Sequence, residues 1–266
     1  MILTAENYYS PEADNHYMSV SQYHNFIGTP FKPGCPGRAI AKLEGRWKDE
    51  SSPAMLIGSY VDAFFEGTLD EFKFNNPAIF TLKGELRSDF KMAEDLIAFA
   101  QKDPFFMQYL VGEGLAQVIL TGQIEGVPWK GKLDRLHEHV SIVDGKVVAS
   151  IRNKIWDEFT RTKINFINAY GYVEQGAVYQ ELYRQVSGEI LPFYIAALSK
   201  ENPPDKEVIF IPNSSLKLKL DEIKGNMERI MNAKLKKYPA EHCRTCDYCR
   251  SIKMLDHAIY DSDLDA

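Results

Sequence analysis

Along the first part of the chain apolar residues recur with a helical period. Residues 18–27 (MSVSQYHNFI) read as a short helix begun by Ser19 or Ser21. Three prolines and two glycines in residues 29–37 (TPFKPGCPG) break it, and a second helix covers residues 38–47. After Ser51-Ser52-Pro53, the run AMLIGSYVDAFFEG suits a largely buried helix ending near Gly67. Residues 86–110 carry two more helical patterns, interrupted at Asp103-Pro104.

The pattern changes near residue 116. Residues 116–121 (AQVILT) are rich in β-branched and aliphatic side chains, and VPWKGKLDRLH and VSIVDGKVV follow as two further strands. Together they predict a three-stranded meander. A helix over 168–186, a buried strand over 207–212 and a Lys-rich amphipathic helix over 215–237 come next, before a cysteine cluster and an acidic tail, DSDLDA (261–266). No internal repeat or low-complexity segment is visible. The fold class expected is mixed α/β with N-terminal helical decoration.

Composition narrows the function classes. The 266 residues are 45% apolar and 26% charged, as in an ordinary globular protein able to bury a large core. No apolar run approaches the roughly 20 residues that span a bilayer. The N-terminus has no basic segment followed by an apolar one, so the expectation is a cytoplasmic protein without membrane association. A formal net charge of −6 weighs against a protein that grips a duplex along its length, although a local basic groove or bound divalent cations can offset the total.

Candidate chemistry lies in the meander. Gly131-Lys132-Leu133-Asp134 is followed ten residues on by Ile142-Val143-Asp144-Gly145-Lys146. On a strand, residues two apart share a face, so Asp144 and Lys146 project together, across from Asp134. Two converging carboxylates can hold a hard divalent cation, and a neighbouring lysine can orient a water or stabilise charge on a phosphate. Asp-Gly between β-branched runs is equally a type I′ turn signal, which would leave nothing catalytic there. The local residues leave both readings open. Downstream, Gln175 and Tyr179 lie four apart on one face of the 168–186 helix.

Taken together, G-K-L-D, then I-V-D-x-K, then a helix bearing Q-x-x-x-Y resembles the RecB-type branch of the PD-(D/E)XK nucleases, in particular phage-type exonucleases. The resemblance runs from about Cys35 to Lys253. It implies a restriction-endonuclease-like core made of the meander, a helix and a further strand. It divides the chain into an N-terminal helical region (1–115) contributing one metal-ligand helix, a nuclease core (116–214), and a C-terminal helix with the cysteine cluster (215–266), expected to form one integrated domain. It also implies a Mg²⁺- or Mn²⁺-dependent deoxyribonuclease, acting as an exonuclease in phage recombination or replication. DNA is the implied partner, and a recombinase or annealing protein a further one; no residue speaks to the oligomeric state. Asp134 and Asp144 would be metal ligands, Lys146 the catalytic lysine, and Gln175 and Tyr179 would face the site. Asp62, after Gly58-Ser59-Tyr60-Val61, would be a further ligand. Gly145, whose carbonyl would face the metal, replaces the usual apolar residue, and Val147 replaces a frequent threonine. The rival reading is a non-catalytic DNA-binding, recombination-accessory module on the same fold.

Cys243, Cys246 and Cys249 form a C-x-x-C-x-x-C array, and Cys35 is the only other cysteine. Three thiolates at this spacing plus a distant fourth look like [4Fe–4S] ligation, and the resemblance carries a cluster that staples the N-terminal helices to the C-terminus. A zinc site, completed by His242 or His257, and four unmetallated thiols are the alternatives. Lys130, Lys132, Arg135, Arg152, Lys154, Arg161 and Lys163 offer either a basic groove or a solvated strand rim. His137 and His139 read as solvated turn residues. Trp129 and Trp156 are candidates for stacking on bases, with burial the better expectation for both.

Overall fold

The computed structural model describes residues 1–255, 257–258 and 260–261; the acidic tail lies outside the described residues apart from Asp261. Seven α-helices precede the sheet: α1 (Pro11–His16), α2 (Val20–Ile27), α3 (Pro36–Leu43), α4 (Pro53–Glu66), α5 (Leu69–Asn75), α6 (Ser88–Gln101) and α7 (Pro104–Val111). Local chemistry sets several boundaries. Ser19 caps α2 through Gln22 N–H, and Ser52 with Pro53 starts α4, which ends at Gly67 in the left-handed region (φ 77°).

The predicted meander is present as β1 (Leu115–Ile124), β2 (Val127–His137) and β3 (Ser141–Val148). A small hairpin, β4 (Ile155–Asp157) and β5 (Thr162–Ile164), and a single turn, α8 (Phe166–Ala169), lead to α9 (Tyr172–Ser187). Then come β6 (Phe193–Ser199), β7 (Lys206–Ile211), α10 (Asn213–Lys234) and α11 (Asp247–Ser251). The main sheet has the order β1-β2-β3-β6-β7. Only the β3–β6 pair is parallel, as a strand–helix–strand crossover through α9 requires. The strand expected at 207–212 is therefore the edge strand β7. The strand that immediately follows the helix, β6, was not anticipated.

Helices cover both faces. Phe193, Ile195 and Ala197 of β6 pack with α2, α9 and α10, whereas Ala196 and Leu198 pack with α4, α6 and α7. Close approach of α9 depends on two glycines. A Cβ on Gly176 would stand 2.4 Å from the Phe193 ring, and one on Gly131 would stand 3.0 Å from the Tyr179 ring. Trp129 is fully buried in this core, but Trp156 on β4 is exposed, contrary to the expectation for it. Among the described residues no helix is long and apolar enough to cross a membrane.

Candidate active site

The site arises where β2 and β3 part. Their ladder pairs His137, Leu136 and Arg135 with Ser141, Ile142 and Val143, and goes no further. Beyond it, Met18 bridges to Trp129, so the N-terminal segment occupies the place β3 leaves. The β1–β2 ladder also breaks here. It pairs Ala116 with Arg135 and Val118 with Leu133 but skips Gln117 and Asp134, and Gln117 has φ 53°. Asp134 thus sits at an irregularity in β2, facing the gap. In place of a strand carbonyl, its Oδ2 accepts the Gly145 N–H at 2.9 Å. Along a strand, a residue's N–H and C=O point to the same side, so the Gly145 carbonyl faces this gap too.

Asp144-Gly145 is therefore not a turn. Both residues lie inside β3, and the chain reverses earlier, around His139 (φ 59°). Asp144 and Lys146 share a face, and the Lys146 ammonium contacts Asp144 Oδ2. The other carboxylate oxygen, Oδ1, accepts Gln175 Nε2 at 2.8 Å, and the same amide reaches the Tyr179 hydroxyl at 2.9 Å. The (i, i+4) pair on α9 thus shares a face, as its spacing predicts, and that face turns toward Asp144. Asp144 is buried, and burial, with Asp134 nearby, pushes its carboxyl up to about 7. Burial opposes the charge on Lys146, but Asp144 and Asp134 outweigh it and hold the ammonium protonated above its usual range. The ammonium also lies 5.0 Å from the centre of the Tyr172 ring.

The opposite wall is α4, which packs against β3 at Gly58 and Val147. It carries Asp62, whose side chain opens to the cavity while protein surrounds it. Desolvation, and then repulsion from Asp134, raise its pKa well above the ordinary value. Asp134 Oδ2 and Asp62 Oδ1 lie 3.8 and 4.0 Å from the point where a Cβ on Gly145 would stand. One turn after Asp62, Glu66 faces the same cavity, is raised mainly by burial, and accepts Gln117 Nε2 at 2.6 Å. Sequence reading missed Glu66, although its (i, i+4) spacing from Asp62 was the available signal.

All these groups line one cavity of about 440 Å³. Tyr8, Tyr9, Asp14, Ser21 and His24 join them from the N-terminal segment, and no local motif marks them. Five carboxylates (Asp14, Asp62, Glu66, Asp134, Asp144) face three ammonium groups (Lys130, Lys132, Lys146). Burial lowers the His24 pKa to about 4, so it adds no positive charge at neutral pH. Of the two readings of the basic residues, the groove is realised only in part. Lys130 is buried, bonded to the Tyr8 carbonyl and to Asp14 at 2.7 Å, and Lys132 lies over the Tyr9 ring. Arg135 bonds the Leu110 and Gly114 carbonyls, Arg152 pairs with Asp205 and Glu207, and Arg161 with Glu158. Arg152, Lys154, Arg161 and Lys163 do not line the cavity. His137 is not a free turn residue either, since it bonds the carbonyls of Tyr109 and Glu113, whereas His139 meets Glu189 at the surface.

The four cysteines form a second, separate group. Cys35 at the start of α3 meets Cys243, Cys246 and Cys249, and all four sulfurs lie within 4.8 Å of one another. The group can hold a metal ion.

The chain matches, over residues 19–252, the model of a family described as a PDDEXK-like domain of unknown function (DUF3799). It belongs to that family. The five-stranded sheet with helices on both faces is accordingly a restriction-endonuclease-like fold. The chain is also similar to a solved structure from Eubacterium rectale described as a "putative exonuclease", with 46% identity over 100% of this chain and 99% of that one and a TM-score of 0.96. Among curated proteins there is no significant match.

Proposed function

We propose that this protein is a divalent-metal-dependent deoxyribonuclease that degrades DNA from an end, in recombination or replication of a phage or integrated element. The observation that carries this reading is the convergence of Asp134, Asp144 and Lys146 in the β2–β3 gap, with Asp62 opposite and Gln175 locking Asp144. The donor set fits Mg²⁺ or Mn²⁺. The donors are hard oxygens from Asp62, Asp134, Asp144 and the Gly145 carbonyl, and burial and mutual repulsion raise two of these carboxyls. The cavity's five carboxyl groups outnumber its three ammonium groups, so a bound cation would ease the approach of a phosphodiester.

When bound, the cation supplies Lewis acidity and lowers the pKa of a water molecule. The remaining roles belong to the chain. Lys146, held protonated, acts as a hydrogen-bond donor that orients water and meets charge on the phosphate, not as a base. Gln175 fixes the Asp144 carboxylate, and Tyr179 fixes Gln175. Tyr9 and Lys132 on the rim offer a ring face and a cation to the incoming strand. A recombinase or annealing partner fits the same reading.

The test is digestion of end-labelled linear duplex and single-stranded DNA beside closed circular DNA, with Mn²⁺ or with EDTA. Metal-dependent loss of linear DNA alone supports the exonuclease. Cutting of closed circles would make it an endonuclease, and DNA binding without any cleavage would assign the cavity to an accessory module.

A further inference from the structure

The geometry of the four cysteines points to a ligand other than the iron–sulfur cluster that the resemblance implies. Cys35 Sγ lies 3.5 Å from Cys249 Sγ, and Cys243 Sγ lies 3.9 Å from Cys249 Sγ. No pair of the four sulfurs is further apart than 4.8 Å. A tetrahedron of thiolates around one zinc ion, with Zn–S of about 2.3 Å, sets its sulfurs about 3.8 Å apart. In a [4Fe–4S] cubane each thiolate sits on its own iron. Its sulfur separations therefore exceed those of a single-ion site by the spacing between irons. The arrangement is too tight for a cubane. It is also too open for a disulfide, whose sulfurs are about 2.05 Å apart, and all four cysteines are free.

We propose that Cys35, Cys243, Cys246 and Cys249 bind one zinc ion as a tetrahedral tetrathiolate that ties α3 to the C-terminal segment. The surroundings suit thiolates. Arg38 N–H donates to Cys35 Sγ at 3.4 Å, Cys246 N–H donates to Cys243 Sγ at 3.3 Å, and the Thr245 hydroxyl lies 3.7 Å from the same sulfur. Such N–H···S bonds stabilise charge on sulfur and fix its direction, as the partners of metal ligands do. His242 does not take the fourth place. Its Nδ1 lies 3.6 Å from Cys249 Sγ and its ring stacks on Tyr248, so it stands outside the four sulfurs.

Packing here is thin enough for a metal to matter. The satellite core consists of Cys35, Ala41, Tyr248 and Cys249 with Trp47 against them, joining segments 214 residues apart. An ion that binds the four assembled thiolates and not the unfolded chain adds its binding free energy to the stability of this contact. The site is distinct from the carboxylate cavity, so the inference holds whether or not the nuclease reading does.

The test is elemental analysis of full-length protein produced with both iron and zinc available and purified without oxygen, followed by cobalt replacement. The expected result is one zinc per chain, no iron, no visible absorption, and on cobalt loading the intense bands of tetrahedral cobalt thiolate. Cys35→Ser should lower zinc retention under a chelator at least tenfold. Because that variant can lose its fold, the cobalt spectrum of the unaltered chain decides independently. Four irons with acid-labile sulfide, four freely titrating thiols without metal, or cobalt bands lacking thiolate character would each overturn the proposal.

Discussion

Gly145 N–H donates to Asp134 Oδ2 at 2.9 Å, so a side chain joins β3 to β2 just where their backbone ladder ends. This one bond accounts for the position of the site. It keeps the two strands in register across the gap, places Asp134 beside Asp144, and leaves the Gly145 carbonyl facing the carboxylates.

The position tolerates more than its glycine implies. A Cβ on Gly145 would meet the Leu110 methyl at 3.3 Å and otherwise only ordinary contacts, and Gly145 is not among the residues with positive φ. Gly145→Ala is expected to keep metal-dependent cleavage and to raise stability by about 0.5 kcal/mol through the unfolded state. Denaturant melts and DNA digestion check this. A destabilised or inactive variant would mean that Leu110 cannot yield.

The pairing of Lys146 with Asp144 should be strongly non-additive. Lys146→Met leaves Asp144 buried beside other carboxylates and is expected to cost about 3 kcal/mol and abolish cleavage. Lys146→Met combined with Asp144→Asn, which removes the buried carboxyl left without its partner, should cost less than Lys146→Met alone. A double-mutant cycle in urea reads the difference, and additivity would deny the coupling.

On α9, Gln175→Leu removes the donor that holds Asp144 Oδ1. Activity is expected to fall about 10- to 100-fold with a matching loss of Mn²⁺ affinity, as for other groups that orient metal ligands. Tyr179→Phe loses only the bond to Gln175, so about 1 kcal/mol of stability and a smaller drop in rate are expected. Rates at saturating Mn²⁺ separate the two effects.

Acidity provides a fourth check. Asp144 has its pKa raised from 3.8 to about 7 on folding, and that of Asp62 is raised too. A carboxyl with a raised folded pKa binds more protons in the native state. Its contribution is fully present below the unfolded pKa and is lost as pH rises through the folded one. Without divalent metal, melting temperature should fall between about pH 4 and pH 7 more steeply in the parent chain than in Asp144→Asn. Added Mn²⁺ should restore most of that stability at the upper end, since it competes with protons for the same oxygens. Identical pH profiles for the two chains would contradict this.

Parts of this architecture were legible because one local rule governs them. Enrichment in β-branched and aliphatic residues marked β1 to β3, and the (i, i+4) spacing of Gln175 and Tyr179 gave their shared face. β6 was missed because FYIAALS is buried on both faces, and an unbroken apolar run carries no period. The ambiguity of Asp144-Gly145 was of a different kind. Whether Asp-Gly turns or continues a strand is decided by the parallel neighbour β6, which local residues do not encode. Asp62 came only from resemblance, and Tyr8 and Tyr9 from nothing, since they reach the cavity through the tertiary bridge of Met18 to Trp129.

Asp134, Asp144 and Lys146 are proposed to form a metal-dependent hydrolytic centre. The most direct measurement is release of nucleotides from linear DNA by the unaltered chain and by folded Asp144→Asn, each with Mn²⁺ and with EDTA. Release is expected only from the unaltered chain with Mn²⁺, at least a thousandfold above the variant. Equal release from both chains, or release undiminished by EDTA, would contradict it.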